Sequence, residues 1–318
     1  MAAVVSPSAG FAISYSMKIM EDKDLNNVKI GIIGGDLRQL AAAESLADAG
    51  YEVALYGINP PPETDFPRGV TRCAGYRDAV SGSALIALPL PCSMDGIRVN
   101  CPLGDYNVKL EDIYSIVTAD SVISGGRIDS AVYEGARLYG IDLTDYYERN
   151  ELCVANAVPT AEGAVAIAME AMPITIHNSS VIIYGYGRVG TILAHTLKSL
   201  GAYVTVAARS REAIAWAAAY GYETHFIGDV PKSGYDVVFN TVPALVLTSK
   251  ILSAFRRGTP IIELASKPGG IDMKAAAELG LNPIWALSLP GRVAPVTSGK
   301  AIAVTLINIL NERLKNET

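Results

Sequence analysis

The stretch Val181–Leu193, VIIYGYGRVGTIL, constrains this chain more than any other. An apolar run of strand character breaks into Gly185-Tyr186-Gly187-Arg188-Val189-Gly190, and apolar residues then resume at helical spacing. A G-x-G-x-x-G turn between a strand and a helix suits a phosphate, the alternative being a glycine turn that holds no ligand. The first glycine allows the tight turn, the second lets the backbone approach a pyrophosphate, and the third lets helix and strand pack closely. The helix start adds unpaired N–H groups and a partial positive charge. YVTVAAR follows as a second strand and completes a β-α-β unit. The unit lies past the midpoint of 318 residues, so the long segment before it must fold as a domain of its own.

That earlier segment reads as α/β. VKIGII (28–33) is a strand, GGD a turn, Arg38–Ala49 a helix stopped by Gly50, and EVALYG the next strand. PPPETDFPRG is a surface loop. SALIALPLP and SVISGG read as buried strands, SAVYEGARLYG as a helix stopped by Gly140, and IDLTDYY as a short strand. The first domain is placed at 27–155 and has flavodoxin-like size, after a loose leader at 1–26 in which Met17 is an alternative start. A linking segment follows at 156–176. Its helix is expected over 159–172 with Pro159 near the start, and it is apolar nearly all round, as a helix buried between domains would be. The second domain, 177–295, carries strands at 180–184, YVTVAAR, DVVFNTV, PIIELAS and NPIWAL, with helices at 188–200, 211–220, 245–256 and 273–279. A last helix, about 297–314, lies in a segment (296–318) expected to pack back on the first domain. The fold class is therefore α/β with two Rossmann/flavodoxin-like domains. Open α/β sheets bind ligands at the C-terminal ends of their strands, so two such edges facing each other make a cleft.

Composition narrows the partners. Half of the residues are apolar, enough for two cores, and the net charge of -6 gives no reason to expect nucleic acid or an anionic membrane. The four cysteines, Cys73, Cys92, Cys101 and Cys153, are scattered with no C-x-x-C pair, and there are three histidines, so no metal site and no disulfide framework are expected. No apolar run approaches the roughly 20 residues of a membrane helix. The N-terminus lacks the basic start and apolar core of a signal peptide, and a reducing cytoplasm is the expected setting.

The second strand of the nucleotide unit ends AARSR. An acidic residue there would read the 2′-hydroxyl of NAD. Arg209, Ser210 and Arg211 stand in its place and suit a 2′-phosphate, so the expected cofactor is NADP. NTVP ends the strand beyond the switch point, which puts Thr241, Val242 and Pro243 beside the nicotinamide ribose, or simply in a strand-to-helix turn.

Taken in order, IGIIGGDLRQL, NAVPTAEGA, IHNSSVIIYGYGRVG, GAYVTVAARS, NTVPALVL, LASKPGGIDMKAAAELG and LPGRVAPVTSG resemble the A-type subunit family of dipicolinate synthase. The resemblance spans about 28–313 and is thin over 60–115. It implies a formate/glycerate-dehydrogenase-like pair of domains with linking helices. It also implies an NADP-linked oxidoreductase of spore-forming bacteria, working in the mother cell on a branch of lysine biosynthesis. Such an enzyme oxidises a dihydrodipicolinate-type ring to pyridine-2,6-dicarboxylate together with a flavoprotein-like, B-type dipicolinate synthase subunit. A homo-oligomer, a dimer, is expected as for other two-domain dehydrogenases.

A ring with two carboxylates calls for cations, hydroxyls or helix N-termini. Arg38 follows GGD and can reach the cleft, or pair with Asp36. Lys267 ends a strand near the nicotinamide, and the resemblance draws Ser266 and Lys267 into the site. Arg127 and Arg292 are further cations. Thr160 and Glu162 are read at the head of the linking helix, where a carboxylate suits the dipole, and Glu162 is the expected proton acceptor. His177, His195 and His225 show no partner by spacing. Two rival readings stand: a dehydrogenase of another small amino or hydroxy acid, and a non-catalytic NADPH-binding protein that needs its partner for chemistry.

Overall fold

The computed structural model describes residues 28–316. The leader and the alternative start at Met17 lie outside the described residues. The first domain contains β1 (Lys29–Ile33), α1 (Leu37–Asp48), β2 (Glu52–Tyr56), β3 (Val70–Arg72), α2 (Tyr76–Val80), β4 (Leu85–Ala87), α3 (Leu110–Tyr114), β5 (Val122–Gly125), α4 (Ser130–Leu138) and β6 (Leu143–Asp145). Its strands form a parallel six-stranded sheet in the order β3-β2-β1-β4-β5-β6. The second domain contains β7 (Ser180–Tyr184), α6 (Arg188–Ser199), β8 (Tyr203–Ala208), α7 (Arg211–Ala219), β9 (Glu223–Phe226), β10 (Val237–Asn240), α8 (Ser249–Leu252), β11 (Pro260–Glu263), α9 (Met273–Glu278) and β12 (Asn282–Trp285). Its parallel sheet runs β12-β11-β10-β7-β8-β9. Both sheets thus share the doubly wound 3-2-1-4-5-6 order, and each has a crevice where that order reverses, between β1 and β4 and between β7 and β10.

Two long helices join the domains. The first, α5 (Asn150–Ala171), places Leu152 in the core of the first domain and Ala161, Ala164, Val165 and Ala168 in that of the second. Serving two cores explains its apolar circumference. The other, α11 (Pro295–Asn316), follows the short α10 (Leu289–Val293) and packs Ile302, Ala303, Leu306, Ile309 and Leu310 with Leu40, Ala43 and Leu46 of α1. Gly299 permits this approach, because a Cβ there would lie 2.3 Å from the Arg38 carbonyl oxygen. Arg149 reinforces the junction: its Nη1 and Nη2 donate to Glu312 at 2.7 and 2.6 Å, and its Nε to Glu151 at 2.8 Å.

Three expectations require correction. The linking helix begins at Asn150, and Pro159 lies inside it. A proline removes one backbone donor, and packing on both sides carries the helix through. At 22 residues α5 also passes for a membrane span by length and composition, against the reading that no apolar run comes near that length, although half of its most apolar stretch is buried against the two domains. In the second domain, residues 245–248 are not helical. Val246 and Leu247 donate to the Gly270 carbonyl and Leu247 bridges Ile271, which leaves only Ser249–Leu252 as helix.

Candidate functional site

The glycine loop is built as a cradle. Gly185 N–H donates to Ala207 at the end of β8 (2.8 Å), and its φ of +102° lies in the left-handed region that glycine tolerates. A Cβ on Gly190 would meet the Gly185 carbonyl oxygen at 2.2 Å, so only glycine lets α6 come this close to the loop. A Cβ on Gly187 would meet nothing within 4 Å. Gly187 is also the N-cap of α6 and offers no side-chain cap, so the first N–H groups of that helix are left without one. Arg188 is exposed and donates from Nη2 to Asn150 Oδ1 at 2.7 Å, tying the loop to the start of α5. Tyr186 packs at the edge of the core, its ring T-shaped against Tyr222, with its buried hydroxyl unpartnered among the described residues. Val189 follows on the first turn of α6.

The other nucleotide-side candidates lie along the same edge, at the C-terminal ends of β8, β10 and β11. Arg209 and Arg211 are exposed, and Ser210 caps α7 by accepting from Ala213 N at 3.1 Å. Thr241 Oγ1 donates to Tyr184 O at 3.0 Å and stands where a Cβ on Gly185 would go, so it clamps the glycine loop from beneath. Val242 N–H donates to Asn240 Oδ1 at 3.1 Å, and Pro243 is exposed beyond it. Ser266 and Lys267 are exposed on the loop after β11, with Lys267 Nζ 6.0 Å from the centre of the Trp285 ring.

The first domain carries the same turn with a different fate. Gly34 N–H donates to Tyr56 at the end of β2 (2.8 Å), the counterpart of Gly185 and Ala207. Here, however, Gly35 N–H donates to Asn100 O at 2.9 Å, and a Cβ on Gly34 would strike Cys101 Sγ and Val99 at 2.8 Å. Residues 99–101 fill the crevice, and the thiol of Cys101 is pushed up to about 11 by its burial.

What this loop presents is Arg38. Asp36 caps α1, accepting from Arg38 N at 2.9 Å, while Gln39 Oε1 accepts from Asp36 N at 3.2 Å in a capping box. The guanidinium donates from Nε to Asp36 Oδ1 (2.9 Å), from Nη2 to Asp36 Oδ2 (2.7 Å), and from Nη2 to Leu90 O. Burial works against its charge, and Asp36 outweighs that, so the group is held ionised. Nη1 has no protein partner among the described residues. Gln39 reaches Tyr146 (3.3 Å), whose buried hydroxyl donates to Leu88 O (3.0 Å), so the loops after β1 and β4 are knitted together. A Cβ on Gly291 in α10 would lie 3.1 Å from Arg38 Nε, which sets this cation at the domain junction.

The remaining candidates are not gathered here. Glu162 is on the exposed side of α5 and well inside the helix, so the dipole argument for it fails. Thr160 spends its hydroxyl on Asn156 O at 2.6 Å. Arg127, His177 and His195 are exposed, and so is Arg292 on α10. Sequence reasoning missed the most buried polar pair at the edge, Asn240 and Glu263. Each is the last residue of its strand, and they stand opposite one another in register.

Residues 29–147 match the N-terminal domain of the A-type subunit of dipicolinate synthase. Over 294 residues the chain is 31% identical to the A-type dipicolinate synthase subunit of Bacillus subtilis strain 168, covering 91% of this chain and 97% of that one. The crystal structure of the corresponding subunit from Bacillus halodurans is similar at a TM-score of 0.82 with 30% identity, covering 91% and 99% of the two chains. An L-alanine dehydrogenase structure is similar in fold alone, at a TM-score of 0.61 and 14% identity over 89% of each chain.

Proposed function

Because the chain belongs to the A-type subunit family of dipicolinate synthase, we propose that it is the NADP-binding, oxidoreductase component of such an enzyme. The substrate class is a partly reduced pyridine ring with two carboxylates, and the product is pyridine-2,6-dicarboxylate. The observation that carries this reading is the pairing of an open glycine cradle in one domain with a half-buried, ionised arginine at the junction with the other.

Each part has a stated task. Gly185–Gly190 and the uncapped start of α6 suit a pyrophosphate, and Arg209, Ser210 and Arg211 suit a 2′-phosphate. The nicotinamide, when bound, supplies the hydride acceptor. Arg38, with Nη1 unspent and its other donors fixed by Asp36 and Leu90, anchors one substrate carboxylate without having to reorganise. Lys267 and Ser266 line the opposite edge. Aromatisation favours the product, so orientation of the ring is the main demand on the protein. One ring hydrogen leaves as hydride and one as a proton. Glu162, the acceptor expected from the sequence, stands exposed on the stretch of α5 packed into the second domain's core and outside this cleft.

The exposed place of Glu162 favours one further reading, a chain that turns over only with a flavoprotein-like, B-type partner. A homo-oligomer in the cytoplasm of a sporulating cell belongs to the same proposal. The test is titration with NADPH and NADH, followed by NADP reduction with fresh dihydrodipicolinate, with and without the B-type partner. Tight NADPH binding with no dipicolinate formed in either mixture would refute the synthase reading.

A further inference from the structure

Glu263 is 2% exposed at the end of β11. Its Oε1 and Oε2 accept from Asn240 Nδ2 at 2.8 and 3.0 Å, Oε1 from Ala265 N at 2.9 Å, and Oε2 from Gly270 N at 2.9 Å. Every partner is an N–H donor. An ionised carboxylate, which only accepts, satisfies this set, whereas a protonated one would carry an O–H with no acceptor among these partners. Burial raises the carboxyl above its ordinary value, and the N–H donors of Gly270, Ala265 and Asn240 offset that in part; the all-donor geometry is what favours the anion. No cationic side chain lies within ion-pair distance among the described residues, and Lys267, on the same loop, turns over Trp285 instead.

The pair holds both loops of the nicotinamide side. Asn240 Nδ2 also donates to Val242 O at 3.0 Å, and Gly270 is wedged so tightly that a Cβ would lie 2.5 Å from both Asn240 Nδ2 and Val242 O. A neutral acceptor could tie loops as well. What a buried anion adds is charge. Across a doubly wound sheet a dinucleotide lies with its adenine half towards the second and third strands and its nicotinamide half beyond the switch point, which here means over β10 and β11. The oxidised nicotinamide ring is positive and the reduced ring is neutral.

Resting on the reading that this cleft holds a nicotinamide dinucleotide, we propose that Glu263 is a fixed negative charge beneath the nicotinamide half, positioned by Asn240, and that it biases the site towards the oxidised cofactor. A charge roughly 10 Å away at an intermediate effective dielectric shifts the affinity ratio of the two forms by about tenfold.

The test is calorimetric titration of the whole chain with NADP and with NADPH, without substrate. Glu263→Gln should lower the preference for NADP over NADPH by about tenfold. Glu263→Asp, which keeps the charge, should preserve the ratio even where both affinities fall. Equal losses for the two nucleotides in E263Q would assign Glu263 a purely structural role and overturn the proposal. Should E263Q not fold, the wild-type ratio decides: NADPH bound more than about tenfold tighter than NADP overturns it, and comparable or tighter NADP binding supports it. A wild-type chain that binds neither nucleotide overturns the functional reading and this inference with it.

Discussion

Replacing Gly187 by alanine separates binding from folding at the cradle. Gly187 has φ −92° and ψ −161°, a conformation open to any residue, and its added Cβ would have no neighbour within 4 Å. Alanine is a poorer N-cap than glycine by about 0.5–1 kcal/mol. It returns about 0.4–1 kcal/mol by restricting the unfolded chain. The two cancel, so the thermal midpoint should move by less than about 4 °C. The methyl group would nevertheless stand where the pyrophosphate must approach the backbone, and a loss of at least about 100-fold in NADPH affinity is expected, or about 2.7 kcal/mol. Gly190→Ala is the contrasting variant. Its Cβ would be forced to 2.2 Å from the Gly185 oxygen and 2.9 Å from that carbonyl carbon, both backbone atoms. Moving α6 away to relieve this should cost about 3 kcal/mol, and binding is then lost through the fold. Thermal unfolding and calorimetric titration of the two variants read both effects. A Gly187→Ala chain that binds NADPH like the wild type would refute the placement of the dinucleotide over this loop.

Arg209→Glu should reverse the nucleotide preference from NADPH towards NADH by about 100-fold, read as the ratio of the two dissociation constants, because a 2′-phosphate loses its cation while a 2′-hydroxyl gains an acceptor. Arg38→Lys should raise KM for the dicarboxylate about tenfold and leave nucleotide affinity unchanged, since an ammonium cannot bond Asp36 in fork geometry and still present a free donor. The Arg149 guanidinium holds the Glu312 carboxyl below its ordinary value of 4.5, so that pair stabilises the fold above this pH and the contribution is lost as pH falls through the lowered value. Glu312→Gln should therefore be less stable than the wild type at neutral pH, by about 0.5 kcal/mol for so exposed a pair. Unfolding curves taken at successively lower pH should show the gap begin to narrow near 4.5 and close once the pH is below the lowered value.

What could be read from the sequence was what is local. Strand, glycine turn and helix follow one another within thirteen residues at Val181–Leu193, and their spacing carries the geometry. The start of α5 escapes the proline rule because that rule is local and the support for Asn150–Val158 is not: Leu152 is held by the first domain's core. Glu263 was hidden for a related reason. PIIELAS reads as any buried strand, and the partner that makes its carboxylate tolerable arrives only with the β10–β11 register, which sets Asn240 opposite it. A trace was present all the same: two adjacent apolar strands, VVFN and PIIE, each end on a polar residue at the edge where ligands bind.

The duplication of the sheet sharpens the functional argument. Both domains wind their strands in one order and fasten the first glycine of the first loop to the end of the second strand by the same 2.8 Å bond. Either crevice could, on topology alone, receive a dinucleotide. The difference lies in the segment between β4 and α3, which returns over the first crevice, bridges Ser93 to Val99 and seats Asn100 and Cys101 on Gly34 and Gly35. A closed crevice cannot take a pyrophosphate, but it makes a rigid base. With Asn100 holding the turn and Asp36 and Leu90 holding the guanidinium, Arg38 is fixed in orientation before any ligand arrives, which is what a carboxylate anchor requires. One copy of the architecture thus keeps an open loop, while in the other residues 99–101 fill the crevice and the loop sets a cation at the junction.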